Sequence, residues 1–376
     1  MSVAIRRKSI LGDLFLGDPK VTAIGGIVLL ITIGIPIFGL GFGGIGLSRY
    51  LVNLIGQIMC FAILALALDL IWGYGGVLSL GHGIFFAMGG YLVAMHMVKI
   101  AYLKTGTPPN FMLFMGWDAL PQYYAGFGSP LYTLFLVFVL TTLLAFTFGY
   151  VSFRSRVTGV YFALITQALT YVAMLFFFRN DTGFGGNNGM TGFLELLGFP
   201  LNQMPAIVGL ATVSSLTAFV ALIFCSVLTR SPIGHMLIAV RDDEPRLRFL
   251  GYNTIWVKLF AWCVSAVLAA LAGMLYVPQV GIINPNLLSP MVSLEIAVWV
   301  AIGGRGTLVG AFVGATLIQS LKFWLTAFIP EAWPFVLAGL VLVVTVALPN
   351  GLLDIPALLR SIFTAVRRAE PAAKES

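Results

Sequence analysis

The chain has 376 residues, of which 59% are hydrophobic and 9% are charged, and its mean hydropathy is +1.00. This composition excludes an ordinary soluble globular protein, in which about 25% of the residues are charged. The three cysteines lie in apolar runs with no CxxC pattern and no histidine nearby, so we predict neither a metal site nor a disulfide.

Apolar runs of the length that crosses a membrane follow one another along the chain. About 20 apolar residues suffice to cross a hydrocarbon layer of roughly 30 Å as a helix. The candidates, in chain order, are 21–40, 50–72, 83–99, 131–152, 158–178, 204–228, 256–277, 292–303, 307–329 and 333–349. We predict an all-α polytopic membrane protein with about 8–10 transmembrane helices, some of them short or broken. The runs 83–99 and 292–303 are short and flanked by glycines, which is typical of broken helices buried among others.

The distribution of basic residues predicts the orientation. With the N-terminus inside, 16 of the 21 lysines and arginines fall on the cytoplasmic side. The positive-inside rule therefore places both termini in the cytoplasm. The net charge of +7 then reflects orientation and contact with lipid headgroups, and no nucleic-acid binding is predicted. The domains are a cytoplasmic segment 1–20, a transmembrane domain 21–351 and a cytoplasmic tail 352–376.

Residues 231–252 form an unusually charged cytoplasmic element, with six charges in the eight residues from Arg241 to Arg248. Ser231 followed by Pro232 predicts a first short helix, and Asp242 or Asp243 caps a second that ends at Gly251. An ordinary solvated loop and a docking element for a cytoplasmic protein both fit the composition. The candidate docking residues are Arg241, Asp242, Asp243, Glu244, Arg246, Leu247, Arg248, Phe249, Leu250 and Gly251.

Several long motifs resemble a known family. RSPIGHMLIAVRDDEPRLRFLGYN at 230–253, DLIWGYGGVLSLGHGIFFAMGGY at 69–91 and WVAIGGRGTLVGAFVGA at 299–315 are similar to the M-type permease subunit of the ABC importers for branched-chain amino acids and urea. FRSRVTGVYFALITQALTY at 153–171, FRNDTGFGGNNGMTGF at 178–193 and YVPQVGIINP at 276–285 resemble the urea branch. LPNGLLD at 348–354 departs from many relatives, which carry a basic residue before the glycine.

The resemblance implies an ABC importer permease fold in a bacterial inner membrane. It also implies four kinds of partner: a homologous second permease, two cytoplasmic ATPase subunits, a substrate-binding protein outside and the surrounding lipids. The dipeptide Gly-Lys does not occur, so the sequence offers no phosphate-binding GxxxxGK[ST] loop. We therefore expect no enzyme activity and no cofactor in this chain, with ATP and magnesium bound by the partner ATPase subunits. GFGGIG at 41–46 matches a dinucleotide pattern, but no strand precedes it.

Candidate substrate contacts follow from the chemistry of urea, which is neutral and offers amide donors and a carbonyl acceptor. The neutral polar candidates are Ser79, His82, Thr166 and Gln167, with interhelical hydrogen bonding as the structural alternative. Asp69 and Glu295 are acids inside predicted spans, so each should face a polar interior or a partner. A branched-chain amino acid is the rival substrate. A passive urea channel and an ion-coupled carrier are weaker alternatives, because neither needs the charged cytoplasmic element.

Overall fold

The computed structural model describes residues 19–40, 47–347 and 351, and most of these residues are helical. The helices are α1 (Pro19–Gly39), α2 (Arg49–Asp69, continued by a π-helical turn Leu70–Tyr74), α3 (His82–Thr105), α4 (Asn110–Phe114), α5 (Pro130–Arg154), α6 (Val160–Phe177), α7 (Met204–Arg230), α8 (Pro232–Phe249), α9 (Thr254–Val280), α10 (Pro290–Gly303), α11 (Leu308–Phe328) and α12 (Trp333–Ala347). Two short strands, β1 (Glu195–Leu196) and β2 (Phe199–Pro200), pair antiparallel between α6 and α7.

Eight helices in the described part of the chain are long and apolar enough to cross a membrane, namely α1, α2, α3, α5, α6, α7, α9 and α11. Two shorter apolar helices bring the total to ten, the upper end of the predicted range. They are α10 (Pro290–Gly303) and the stretch Pro330–Val343, which includes most of α12. The predicted all-α polytopic fold is confirmed. The segment 1–18, the whole predicted C-terminal tail 352–376 and the GFGGIG run lie outside the described residues.

The prediction of a short helix at 83–99 is wrong, because α3 continues to Thr105 and has 24 residues. Charged and polar residues after Val98 lowered the apolar average without ending the helix. A helix ends where its backbone is capped, and here Gly106 adopts the left-handed conformation with φ +71°. The other short candidate is confirmed, since α10 has 14 residues.

Two helices form the centre of the bundle. In α2 and α3, 78% and 83% of the residues in the most apolar window are buried, against 22% in each of α1, α5 and α6. The apolar outer faces of α1, α5 and α6 are therefore available to lipid or to another membrane subunit. Glycines bring α3 and α9 into backbone contact: a Cβ added at Gly89 would lie 1.9 Å from the Ala270 carbonyl oxygen.

The chain between α2 and α3 returns into the bundle before the next helix starts. Residues 75–81 are not helical, and Gly76 has φ +69°. The ring of His82 then lies 2.6 Å from the hydroxyl of Ser265, which is eleven residues after the start of α9. At 1.5 Å per residue, the start of α3 is about 16 Å inside the bundle from that end. The connection between α2 and α3 therefore lies inside the bundle and is not helical.

A second irregular segment approaches the same place. Residues 281–289 follow α9, include a 3-10 turn at Pro285–Leu288 and lead into α10. A Cβ added at Gly83 would lie 3.2 Å from the Leu287 carbonyl oxygen, so this segment packs against the first turn of α3. The starts of α3 and α10 are thus neighbours within the bundle, and α10 is only about 21 Å long.

The charged element forms α8, which lies outside the eight span-length helices. Ser231 caps its start by accepting from Gly234 N at 3.3 Å, as the sequence predicts. The backbone of Asp243 is not helical (φ −155°, ψ 82°), and its carboxylate accepts from Arg246 N at 3.1 Å. The predicted pair of short helices is confirmed, with Asp243 as the cap of the second and Gly251 (φ +87°) after its end.

Candidate functional site

Asp69 occupies the last position of α2 before its π-helical turn and is completely buried. Its Oδ1 accepts from the backbone N–H of Gly306 at 2.8 Å, in the loop between α10 and α11. Its Oδ2 has no hydrogen-bond partner among the described residues. The expectation that Asp69 faces a polar interior partner is confirmed, and the partner is backbone. Asp69 therefore connects the end of α2, before the glycine-rich stretch 73–83, to the glycine-rich stretch 303–310 between α10 and α11.

His82 opens α3 and is enclosed by hydroxyl groups. Its Nδ1 lies 3.1 Å from Ser79 Oγ and its Nε2 lies 2.6 Å from Ser265 Oγ. Because the Ser265 hydroxyl donates its single proton to the carbonyl of Ala67, we assign His82 as donor through Nε2 and acceptor at Nδ1. Both ring nitrogens are used, and the ring is neutral. A substrate contacts this ring only after Ser79 or Ser265 moves away.

Thr166 and Gln167 are adjacent in α6 but have different surroundings. Thr166 is buried, accepts from Leu80 N at 3.1 Å and donates to the Ala163 carbonyl at 2.8 Å. Its hydroxyl therefore holds the irregular segment 75–81 against α6. Gln167 is half-buried and forms no hydrogen bond to another described residue. Of this pair, Gln167 is the one with polar groups available for a substrate.

Ser293 in α10 is a buried polar residue that the sequence reasoning missed. It is 2% exposed, and its hydroxyl has no hydrogen-bond partner among the described residues. A Cβ added at Gly83 would lie 3.1 Å from this hydroxyl, which places Ser293 beside the first turn of α3. No side chain caps that turn, so its N–H groups carry the partial positive charge of a helix N-terminus. The isolated serine in the apolar run of α10 was the available signal.

Glu295 forms an ion pair with Lys322 of α11. Lys322 Nζ lies 2.8 and 2.9 Å from the two carboxylate oxygens, and the Glu295 side chain is 5% exposed. The expectation of a partner for Glu295 is confirmed. Ser79, His82 and Thr166 thus meet around the start of α3, whereas Asp69 and Glu295 are each held by a separate contact.

The inward side of α8 is anchored to the bundle by two charged residues. Arg241 Nη1 donates to the carbonyl of Gly73 at 2.8 Å. Glu244 Oε1 accepts from Lys258 at 2.8 Å and from Arg248 at 2.6 Å. Burial alone would raise the pKa of Glu244, but these hydrogen bonds outweigh burial and hold that pKa below its usual 4.5. The side chains of Arg241 and Glu244 are therefore already bonded to other residues of this chain.

The outward side of α8 carries the apolar residues that the sequence singled out. Phe249 is 92% exposed and Leu250 is 68% exposed, while Leu247 is half-buried. Arg246 is exposed and forms no ion pair with another described residue. An exposed phenylalanine at the end of a charged helix outside the spans is a feature of a docking surface. We call Arg246, Phe249 and Leu250 the docking tip.

The helical bundle, with its irregular segments at the centre and a charged helix outside its spans, has the architecture of a multi-pass membrane protein. The chain belongs to the family described as branched-chain amino acid transport system / permease component, which matches residues 50–346. The resemblance inferred from the motifs is confirmed at this level. Proteins of this family are transport components, which agrees with the expectation that the chain is not an enzyme.

Curated relatives include two permease proteins of branched-chain amino acid transport systems and one of an autoinducer 2 import system. The high-affinity branched-chain amino acid transport system permease protein LivM of Salmonella typhimurium is 24% identical over 330 residues, covering 81% of this chain and 70% of the relative. LivM of Escherichia coli is 25% identical with the same coverage. The autoinducer 2 import system permease protein LsrC of an Enterobacter species is 28% identical, covering 65% of this chain and 68% of the relative. The solved structures contain no significant match.

Proposed function

We propose that this chain is a permease subunit of an ATP-driven importer for urea in a bacterial inner membrane. Its partners are a homologous second permease, two ATPase subunits that bind ATP and magnesium, and a substrate-binding protein on the outer side. The docking tip carries the ATP-driven part of the proposal, because a channel or an ion-coupled carrier has no use for it. Transport then proceeds by alternating access as the ATPase subunits close and open.

Two observations support urea as the substrate. The motifs at 153–171, 178–193 and 276–285 resemble the urea branch. Two uncharged side chains also have polar atoms without a hydrogen-bond partner among the described residues: Ser293 beside the start of α3, and Gln167 next to Thr166 in α6. Glu295 is paired with Lys322, and Asp69 accepts from Gly306 N–H through one carboxylate oxygen. A neutral molecule with amide donors and a carbonyl acceptor matches such groups. The carbonyl oxygen of urea would face the uncapped start of α3.

The competing substrate is a branched-chain amino acid, which the names of the LivM relatives favour. The same start of α3 suits a carboxylate. Of the acids Asp69 and Glu295, the latter is paired with Lys322, which leaves Oδ2 of Asp69, unpartnered among the described residues, as the acidic group for the ammonium of an amino acid. An amino acid also needs an apolar pocket for its side chain. Urea needs neither.

Uptake by proteoliposomes that hold the complete importer separates the two substrates. We expect labelled urea to enter, with competition from unlabelled urea and none from excess leucine. Gln167→Leu should raise the KM for urea while assembly is unchanged, because it removes the amide and keeps the apolar volume. Gln122→Leu, an exposed glutamine in the 3-10 turn before α5, is the matched control. Competition by leucine would assign the importer to amino acids instead.

A further inference from the structure

The first half of α8 packs directly against the π-helical turn at the end of α2 and the residues that follow it. Arg241 Nη1 donates to the Gly73 carbonyl at 2.8 Å, and Arg241 Nε pairs with Asp242 at 2.9 Å, so the guanidinium plane is held from two sides. Leu237 of the same helix is 2% exposed, and its Cδ1 would lie 3.1 Å from a Cβ added at Gly75. The planar fork of arginine gives such a contact a fixed orientation.

Glycines make this contact close. A Cβ added at Gly76 would lie 2.7 Å from Arg241 Cγ and 3.2 Å from Arg241 Cβ. Gly76 also has φ +69°, a conformation that favours glycine. The backbone at the start of segment 75–81 therefore rests on the stem of Arg241, with no side chain between them.

The opposite side of the same turn is tied to the loop before α11. A Cβ added at Gly73 would lie 2.4 Å from Gly306 N and 2.1 Å from Asp69 Oδ1, and Asp69 Oδ1 accepts from Gly306 N at 2.8 Å. The guanidinium of Arg305 lies 5.6 Å from the centre of the Trp72 ring. We call Asp69, Gly73, Gly76, Arg241 and Gly306 the glycine junction. At the glycine junction, α8, the end of α2 and the α10–α11 loop meet.

Segment 75–81 connects this junction to the polar groups near the start of α3. Its far end is held by the bond from Leu80 N to Thr166 and by the pairing of Ser79 with His82. The segment has no internal helix, so its shape follows the positions of its two ends. The other anchor of α8, Glu244 with Lys258, leads into α9, an unbroken helix of 27 residues.

We propose that Arg241 is a positioning residue that passes movements of the ATPase-bound α8 to segment 75–81, and through it to Ser79 and His82. This inference rests on the proposed function, because it requires an ATPase bound at the docking tip. It assigns Arg241 a role inside the permease rather than in contact with the ATPase. Loss of the Arg241 contact should leave assembly intact and disconnect ATP binding from the start of α3.

Accessibility of segment 75–81 tests the inference without a transport substrate. Leu78→Cys is introduced together with Cys263→Ala, since Cys60 and Cys225 are buried and Cys263 is partly accessible. In the complete importer, we expect the rate of maleimide labelling at position 78 to change when ATP and vanadate trap the closed ATPase dimer. Arg241→Gln should abolish that change while the ATPase subunits still co-purify and bind ATP.

Arg156→Gln is the matched control, because Arg156 is exposed and its side chain forms no hydrogen bond or ion pair with another described residue. It should retain the ATP-dependent change in labelling. Gly76→Ala tests the same contact from the other partner if Arg241→Gln fails to assemble, and it should also abolish the change. An unaltered ATP-dependent change in an assembled Arg241→Gln or Gly76→Ala complex overturns the inference. Failure of the wild-type permease to bind the ATPase subunits would instead refute the proposed function.

Discussion

Glu295 and Lys322 show how this chain places charge within apolar helices. The Glu295 carboxylate is nearly buried, whereas 31% of the Lys322 side chain is exposed. Removing one partner of a buried pair leaves an uncompensated charge, which costs roughly 3–5 kcal/mol when both groups are fully buried. The exposure of Lys322 lets its ammonium reach polar surroundings, so the cost here should be smaller.

We expect Glu295→Gln to destabilise the purified complex by about 2 kcal/mol, below the fully buried range. The double variant Glu295→Gln with Lys322→Met should recover most of the loss, because it removes the unpaired ammonium. Thermal unfolding in detergent measures both. If the single and double variants lose equal stability, the ion pair does not stabilise the complex, and the effect of Glu295→Gln on transport should be measured.

The sequence predicted that some polar residues are buried in the bundle but gave no indication of others. An acid in an apolar run must find a partner, so Asp69 and Glu295 could be placed in the interior from their chemistry alone. Nothing in the sequence assigned the partners, because Gly306 and Lys322 are 237 and 27 residues away along the chain. Ser265 and Ser293 passed unnoticed, since a single hydroxyl in an apolar helix usually bonds to its own backbone.

The boundaries of the charged helix α8 were predicted well, because capping contacts between residues close in the sequence determine them. Ser231, Asp243 and Gly251 fix the two halves of α8 through contacts within a few residues. The apolar run 83–99 gave the first residue of α3 to within one, but the place of that start inside the bundle could not be predicted in the same way. Its position depends on Ser265 and Thr166, which come from α9 and α6. Tertiary contacts of that kind have no local signature.

Glu244 makes the packing of α8 on α9 dependent on pH. Its folded pKa is held below its usual value of 4.5, so its ion pairs stabilise the protein above that pH. That stabilisation is lost as the pH falls through the lowered folded pKa. We expect Glu244→Gln to lower the melting temperature by a constant amount above about pH 5 and by progressively less at lower pH.

The measurement is thermal unfolding of the purified complex from pH 7 downward. Glu331→Gln, an exposed acid with no ion pair to another described residue, controls for loss of one negative charge. A difference between wild type and Glu244→Gln that does not vary with pH would show that the charge of Glu244 contributes nothing.

The docking tip should depend on burial more than on charge. Phe249→Ala removes an apolar ring that is 92% exposed in this chain and would be buried in a complex at roughly 25 cal/mol per Å². We expect it to reduce co-purification of the ATPase subunits at any salt concentration. Arg246→Glu should reduce it at low salt only. Phe114→Ala, an 84% exposed phenylalanine in α4, is the matched control and should retain the ATPase subunits.

For the whole molecule, composition and the lengths of the apolar runs were sufficient to predict the class of fold. The eight span-length helices and two shorter ones in the described part of the chain lie within the predicted range, because the requirement to satisfy backbone groups in lipid leaves few alternatives. The arrangement of these helices was beyond sequence reasoning. Close contacts such as Gly89 with Ala270 and Gly73 with Gly306 join distant parts of the chain, and glycine itself does not specify its neighbour. The orientation of the termini stays a prediction.

The proposed function requires that this chain transports substrate only when other subunits hydrolyse ATP. The most direct test is the time course of labelled urea uptake into proteoliposomes with the complete importer, with ATP and the binding protein each present or omitted. We expect accumulation above the external concentration only when both are present, and its loss in Phe249→Ala. Equilibration of urea without ATP, or uptake that collapses with an ion gradient, would contradict the account.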